Sequence, residues 1–189
     1  MFYRSSLCTW ILLATSTLVW SSVASAAGLA GQTLTGGYFL PDSVTPYAPA
    51  VFAPPTFVVG AGQETTVDVE GVTDLNIDFD DFSLTITLDT VLATPTWNVA
   101  DFCGLVFDSA APLDITSATV DGSTTMAGFD DSRVTFNANQ ILINWNGLSY
   151  VDGTVVRVNF AIVPEPGTAV LLGLGLLGLG ARRARHRTN

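Results

Sequence analysis

Large apolar side chains recur at every second position along much of residues 67–162. The run 82–88 alternates Phe, Leu, Ile and Leu with Ser and Thr. A period of two puts alternate side chains on opposite faces of a strand, so this run predicts a strand with one buried face. The same alternation marks further segments at residues 67–69, 75–79, 134–136, 141–145 and 156–162.

Turn signals separate these segments. Only Asp80 and Asp81 lie between two of the alternating runs, which predicts a tight hairpin with Phe79 opposite Phe82. Asp-Gly or Asn-Gly pairs at 121–122, 146–147 and 152–153 are further turn signals, and no helical period precedes residue 163. Short strands rich in Val, Ile, Thr and Phe predict an all-β fold, an antiparallel β-sandwich of about eight strands.

A proline-rich stretch, residues 41–56, interrupts the alternation. Proline cannot donate to a sheet ladder, so this stretch is expected to be an extended loop and not a central strand. We expect it to lie across the sheet with Tyr47 and Phe52 packed. An exposed binding loop is the alternative.

The N-terminus has the layout of a secretory signal. Arg4 precedes an apolar run at 7–20, and Ala24 and Ala26 are small residues of the kind that signal peptidase reads. We expect a signal peptide over residues 1–26, with cleavage after Ala26. An uncleaved anchor helix is the alternative. The remaining segment, residues 27–162, has the size of one ordinary domain.

The charge of that domain excludes several functions. Residues 27–162 contain 16 of the 17 acidic residues and two arginines, and the chain has no lysine. Nucleic acid is therefore excluded as a partner, because phosphate binding relies on Lys and Arg. The only histidine is His186, outside the domain, which excludes a histidine-based triad or zinc site there. No cofactor is expected.

Carboxylate chemistry remains open. Closely spaced carboxylates are the ligands that calcium prefers, although none of them forms a twelve-residue calcium loop. A pair of carboxylates would also suffice for glycoside hydrolysis, for which Asp101 is a further candidate. Solvated acidic turns are the favoured interpretation of all of them. The weak calcium candidates are Asp78, Asp80, Asp81, Asp130 and Asp131.

Three aromatic residues are candidates for a carbohydrate-binding face: Trp97, Trp145 and Tyr150. Trp145 continues the apolar face of residues 141–143 and is expected in the core, while Trp97 is compatible with either position. Cys103 has no partner within residues 27–162. We expect it to be buried as a small hydrophobic residue, with an intermolecular disulfide as the alternative.

The C-terminal segment, residues 163–189, has three parts: a proline-containing motif, an apolar run at 168–181 and a basic cluster. The prolines end any preceding strand and predict an exposed hinge. As a helix the apolar run spans about 21 Å, less than the hydrocarbon core of about 30 Å, which favours transient insertion. The basic cluster is expected in the cytoplasm. The motif is Val163, Pro164, Glu165, Pro166 and Gly167, and the cluster is Arg182, Arg183, Arg185 and Arg187.

This order of motif, apolar helix and arginine cluster resembles the PEP-CTERM sorting signal of Gram-negative bacteria. The resemblance implies a transmembrane sorting helix and processing by exosortase near Pro164 to Gly167. It also implies release into, or attachment within, an exopolysaccharide matrix or biofilm. It covers the two chain ends and assigns no activity to residues 27–162.

The sequence therefore predicts a non-enzymatic exported protein that passes through the inner membrane to the cell surface or extracellular matrix. The first alternative is a carbohydrate-binding module for exopolysaccharide. The second is a glycoside hydrolase.

Overall fold

The domain is built from strands, which confirms the all-β prediction. The computed structural model describes residues 28–163 and 173–175. Eleven strands and one short 3₁₀ turn, Asp131–Arg133, lie in this part of the chain. The strands are β1 Thr33–Phe39, β2 Ala50–Ala53, β3 Thr56–Val58, β4 Thr65–Val69, β5 Thr73–Asp80, β6 Ser83–Thr90, β7 Gly104–Ser109, β8 Ile115–Val120, β9 Val134–Phe136, β10 Gln140–Asn144 and β11 Thr154–Ile162.

The strands form two antiparallel sheets that pack as a sandwich. One sheet has five strands in the order β3-β1-β7-β10-β9, and the other has six in the order β2-β4-β5-β6-β11-β8. The structure therefore contains more strands than the eight expected. The surplus comes partly from β2 and β3, which have four and three residues and are too short to show an alternating pattern.

Alternation along the long strands builds the core between the sheets. In β5 the residues Leu75, Ile77 and Phe79 are fully buried, and in β6 Leu84 and Ile86 are fully buried. Most of their sequence neighbours are half-buried or exposed, as a period of two requires, and Ser83 is the buried exception. At about 25 cal/mol per Å² of apolar surface removed from water, this shared core is the main source of the fold's stability.

The β5–β6 hairpin is present, but its predicted register is wrong. Asp80 pairs with Ser83 and Phe79 pairs with Leu84. The turn is therefore Asp81-Phe82, and Phe82 is 50% exposed. The register prediction was wrong because Phe82 fits the apolar alternation of residues 84–88 in the sequence, although it lies in the turn.

The proline-rich stretch lies where the composition predicts. It contributes no central strand, because β2 and β3 each lie at one edge of a sheet. The prolines of the stretch lie outside both strands, as residues that cannot donate to a sheet ladder require. Tyr47 and Phe52 pack against the core, in agreement with the prediction, and Phe52 lies edge-on to Phe107 with 6.5 Å between ring centroids.

The sandwich has two ends with different contents. The terminal pole is the end where residues 28–32 and 162–163 lie, together with the 81–82 turn. There Leu29 N–H donates to Asp81 O (2.9 Å) and Phe160 N–H donates to Phe82 O (2.7 Å). The pocket pole is the opposite end, formed by the loops at residues 40–49, 70–72, 91–103 and 145–153.

Several sequence predictions fall outside the described residues. The signal peptide, with Ala24 and Ala26, is one of them. So is most of the predicted membrane segment, of which only residues 173–175, a helical fragment, are described. In the described parts of the chain, no helix is long and apolar enough to span a membrane.

Candidate functional site: an aromatic cavity and the sorting segment

Trp145, Trp97 and Tyr150 form a buried stack at the pocket pole. The rings of Trp97 and Trp145 are 5.2 Å apart at 22°, and those of Trp97 and Tyr150 are 4.5 Å apart at 15°. Their exposed fractions are 0% for Trp145, 7% for Trp97 and 6% for Tyr150. The core position predicted for Trp145 is confirmed. The candidate interpretation of these three rings as an exposed carbohydrate-binding face is wrong, because they bury one another.

Trp145 also belongs to a buried polar network with Tyr38 and Cys103. Trp145 Nε1–H donates to Tyr38 Oη (2.9 Å), which lies 3.3 Å from Cys103 Sγ. Burial raises the pKa of Tyr38 above its usual range and also raises the pKa of the Cys103 thiol. Cys103 is only 1% exposed, as expected for a small hydrophobic residue. Burial also removes it from reach of a second chain.

Beside this stack lies a small cavity of about 140 Å³. Its walls include four aromatic side chains and several polar groups. Tyr150 Oη and Thr73 Oγ1 are hydrogen-bonded to each other at 2.9 Å in its wall. The lining residues are Tyr38, Leu40, Tyr47, Val69, Glu70, Val72, Thr73, Leu92, Pro95, Thr96, Trp97, Asn98, Cys103 and Tyr150. We call this space the aromatic cavity.

Trp97, one of the residues that line the aromatic cavity, carries a hydrogen-bond donor without a partner. Its Nε1 is buried and has no hydrogen-bond partner among the described residues. A buried donor without a partner costs about 1–3 kcal/mol, and native proteins satisfy nearly all such groups. Because Nε1 has under 1 Å² of accessible surface, a water or ligand in the cavity does not reach it, and the unpaired donor is a cost to the stability of the fold.

Glu70 lies at the mouth of the aromatic cavity in a strained conformation. Glu70 and Gly71 have φ values of 59° and 67°, and Val72 N–H donates to Val69 O. These are the features of a type I′ turn, whose first central position favours Asn, Asp or Gly. A non-glycine residue in this region costs about 1–3 kcal/mol. Tyr47 Oη donates to Glu70 Oε1, and this hydrogen bond raises the pKa of Tyr47.

The calcium candidates of the 78–81 region do not converge on a common site. Asp78 and Asp80 lie on β5, and Asp81 Oδ1 accepts a hydrogen bond from Ala30 N–H (3.2 Å). Asp81 therefore helps to fasten the chain at residue 30 to the hairpin turn. Its carboxylate has a structural use at the terminal pole.

Asp130 and Asp131 also make hydrogen bonds within the fold. Asp130 Oδ1 caps the 3₁₀ turn by accepting from Ser132 N–H (3.0 Å), and Asp131 Oδ1 accepts from Val120 N–H (2.6 Å). The Ser132 hydrogen bonds lower the pKa of Asp130. Within residues 28–163 and 173–175, no group of three or more His, Cys, Asp or Glu side chains is arranged to hold a metal ion.

The sorting segment begins where the last strand ends. β11 ends at Ile162, and Val163 N–H donates to Asp114 O (3.1 Å) at the terminal pole. Val163 is 52% exposed. It is the one motif residue within the described range. The other predicted sorting residues lie outside that range: Pro164, Glu165, Pro166, Gly167, Arg182, Arg183, Arg185 and Arg187.

Comparison with known proteins assigns this segment. Residues 163–185 match the family model described as the PEP-CTERM protein-sorting motif. No curated protein and no solved structure matches the chain. The fold and the match define the class as a β-sandwich protein with a C-terminal sorting motif. The motif identifies the chain as an exosortase-sorted protein of the cell surface or the secreted fraction.

Sequence reasoning missed Tyr38 and Glu70 as parts of the cavity. Tyr38 lies on β1, whose Gly-Gly pair at 36–37 interrupts the alternation. Glu70-Gly71 was not read as a hairpin turn, because Glu is uncommon there. The sequence signal that was available is Gly71, since a glycine between two alternating segments often marks a turn.

Proposed function

We propose that this chain is a non-enzymatic component of the cell envelope or exopolysaccharide matrix, released from its membrane segment by cleavage at the sorting motif. The observation that carries the proposal is the junction between β11 and the motif. The core strand ends at Ile162 and the motif match begins at Val163. Cleavage anywhere in 164–167 would leave every described strand in the product.

The positions of the two ends of the described domain also support the proposal. The first described residues and Val163 lie at the same pole, as the bonds from Leu29 to Asp81 and from Val163 to Asp114 indicate. Both processing enzymes, signal peptidase after Ala26 and exosortase at the motif, would therefore act at one end of the domain. The inner membrane would hold the chain only until the second cut.

The proposed reach from domain to membrane is short. Four residues, 164–167, separate Val163 from the apolar run, and an extended chain covers at most about 14 Å over that length. The domain would therefore stay close to the membrane before cleavage. The pocket pole, at the opposite end of the sandwich, would face away from it.

The acidic character of the domain supports a place in a hydrated matrix. Its surplus of carboxylates favours solubility and disfavours contact with anionic surfaces. A glycoside hydrolase remains the weaker alternative. Three of its candidate carboxylates, Asp81, Asp130 and Asp131, accept hydrogen bonds from backbone N–H groups, as structural carboxylates do.

A second candidate function is carbohydrate binding through the aromatic cavity. The open aromatic face considered as a candidate from the sequence is absent from the described domain, but Trp97 and Tyr150 help to line a cavity of about 140 Å³. This observation favours recognition of a small group over recognition of a long polysaccharide surface.

Intact-mass spectrometry of the protein recovered from its host tests the main proposal. A product that begins near residue 27 and ends between residues 163 and 167 is expected, with or without an added group. The triple substitution P164A/E165A/P166A should retain residues 168–189. Ala111→Ser, an exposed change at the terminal pole outside the motif, is the matched control and should be processed normally.

A single mass that retains Arg187 in the wild-type protein would contradict the proposal. The same conclusion would follow if the triple variant were shortened to the same extent as the wild type, because the motif would then not direct the cut.

A further inference from the structure

We propose that the side chains of Tyr47 and Glu70 form a gate over the aromatic cavity, kept closed by the hydrogen bond between them. The gate is a conformational device of the fold. It controls whether a small solute reaches the buried groups that line the cavity, among them Tyr38 and Cys103. The inference concerns the folded domain alone and does not depend on the proposed sorting.

The gate lies where the cavity meets solvent. Both of its side chains line the cavity, and Tyr47 is half-buried while Glu70 is exposed. The groups behind them are far less accessible, since Tyr38 is 4% exposed and Cys103 is 1% exposed. The ring of Tyr47 packs 6.0 Å from the ring of Tyr38. The Tyr47 ring therefore covers Tyr38 from the solvent side, and a swing of that ring away from Glu70 opens the cavity.

The backbone on both sides of the gate is fixed by hydrogen bonds. Tyr47 N–H donates to Tyr38 O (2.9 Å), and Ala50 N–H donates to Tyr47 O (3.1 Å). Glu70 N–H donates to Pro49 O (3.1 Å), which ties the turn at Glu70 to the loop that carries Tyr47. Opening of the gate is therefore a change of side-chain rotamer, and it requires no unfolding of either loop.

One hydrogen bond sets the balance between the closed and the open gate. Among the described residues, the Tyr47 hydroxyl and the Glu70 carboxylate have no hydrogen-bond partner except each other. This hydrogen bond is exposed to solvent, so it contributes as a typical hydrogen bond does and not as a buried charged one. Its loss should raise the open fraction about threefold to tenfold.

The strained backbone of Glu70 also indicates a role for its side chain. Its φ of 59° lies in the left-handed region, where this turn favours Asn, Asp or Gly. Strained residues of this kind cluster at ligand clamps and switch regions, where the surrounding structure maintains them. Asp and Asn are one methylene shorter than Glu, so their side-chain oxygen would lie farther from Tyr47. The length of the Glu70 side chain therefore suits the hydrogen bond that closes the gate.

The test is the rate at which methyl methanethiosulfonate, a small thiol reagent, modifies Cys103 in the full chain, held in detergent. Cys103 lines the cavity and is the only cysteine of residues 27–162. The readout is the mass of the peptide that contains Cys103, so modification of Cys8 is not counted. The cavity has about 140 Å³, the liquid volume of four or five waters, which leaves room for a methylthio group.

The main variant is Tyr47→Phe, which keeps the ring and the charge of Glu70 and removes only the donor. Cys103 should be modified about threefold to tenfold faster in this variant than in the wild type. Adding Tyr47→Phe to Glu70→Ala should cause no further acceleration, because Glu70→Ala already lacks the same hydrogen bond. Val99→Ala, an 85% exposed residue of the pocket pole that does not line the cavity, should match the wild type.

Low concentrations of urea separate opening of the gate from unfolding of the domain. Below the unfolding transition, urea should leave the modification rate nearly unchanged, because a rotamer change exposes little surface. A rate that rises with urea as steeply as the unfolding equilibrium would overturn the proposal, since Cys103 would then be reached only by unfolding. This measurement on the wild type stands even if Tyr47→Phe does not fold.

Two further results would also overturn the proposal. The first is an equal rate for Tyr47→Phe and the wild type, including no modification of either below the unfolding transition. The second is a further acceleration when Tyr47→Phe is added to Glu70→Ala, because the two side chains would then act separately. None of these results bears on the mass measurement that tests the proposed sorting, so the two failures are distinguishable.

Discussion

The two poles of the sandwich differ in what they hold. The terminal pole contains both ends of the described domain and the first residue of the sorting motif. The pocket pole contains the aromatic cavity, the strained Glu70 and the unpaired indole N–H. The two proposed functions would thus be kept apart: cleavage needs an accessible chain, while recognition needs a rigid and desolvated wall. Because the motif and the cavity lie at opposite poles, cleavage at the terminal pole need not disturb the aromatic cavity.

The largest effect is expected in the β5–β6 hairpin of the terminal pole. Phe79→Ala removes a fully buried ring that packs edge-on against Phe107 at 5.0 Å, so it should lower the free energy of unfolding by about 3–5 kcal/mol. Phe82→Ala, in the turn, should change it by no more than about 0.5 kcal/mol. Urea denaturation of both variants measures the difference. Equal losses of unfolding free energy in the two variants would contradict the observed register, in which Phe79 is buried and Phe82 lies in an exposed turn.

At the pocket pole, the backbone is expected to be less tolerant. A Cβ at Gly104 would overlap the backbone oxygen of Ile143 on the neighbouring strand β10. Gly104→Ala should therefore cost about 1–3 kcal/mol through forced separation of β7 and β10. Gly122→Ala, which meets no atom within 4 Å, is the matched control and should be nearly neutral. A neutral Gly104→Ala would show that the wall of the cavity is looser than described.

The smallest effect concerns Asp121, a carboxylate that directly follows β8. Hydrogen bonds from the Ser123 side chain and backbone, and then from Asn159, lower the pKa of Asp121 from 3.8 to about 2. Because the folded-state pKa is depressed, the stabilisation from Asp121 is present above about pH 4. It is lost as the pH falls through about 2.

Asp121→Asn should therefore flatten the pH dependence of the free energy of unfolding between about pH 2 and pH 4. Near pH 7 the pH dependence should be the same as in the wild type. Urea denaturation from pH 2 to 7 checks this. Asp101→Asn, at an exposed site of the pocket pole, is the control. Identical pH profiles for Asp121→Asn and the wild type would contradict the assigned hydrogen bonds.

The pattern of the sequence predicted strands where one face is buried and the other is solvated. The strands β5, β6, β10 and β11 were found this way. The strand β7 was missed because Leu105, Val106 and Phe107 are all buried, and a strand buried on both faces shows no alternation. The strand β8 was missed for the opposite reason, because none of its side chains is fully buried.

The sorting segment and the cavity differ in how far the sequence reveals them. The motif is contiguous, so a short run of residues from Val163 onward suffices to recognise it. The cavity draws on Tyr38, Glu70, Trp97 and Tyr150, which are far apart in the chain and meet only through the pairing of strands from both sheets. Stacking of Trp97 between two other rings likewise could not be read from its neighbours in sequence.

The central claim is that the folded domain ends where the sorting motif begins, so that processing leaves the sandwich whole. The most direct measurement is the intact mass of the protein from the envelope and medium of its host, followed by urea denaturation of that same material. The account predicts a C-terminus between residues 163 and 167 and one cooperative unfolding transition. A chain that retains Arg187, or a shortened product without a cooperative transition, would contradict it.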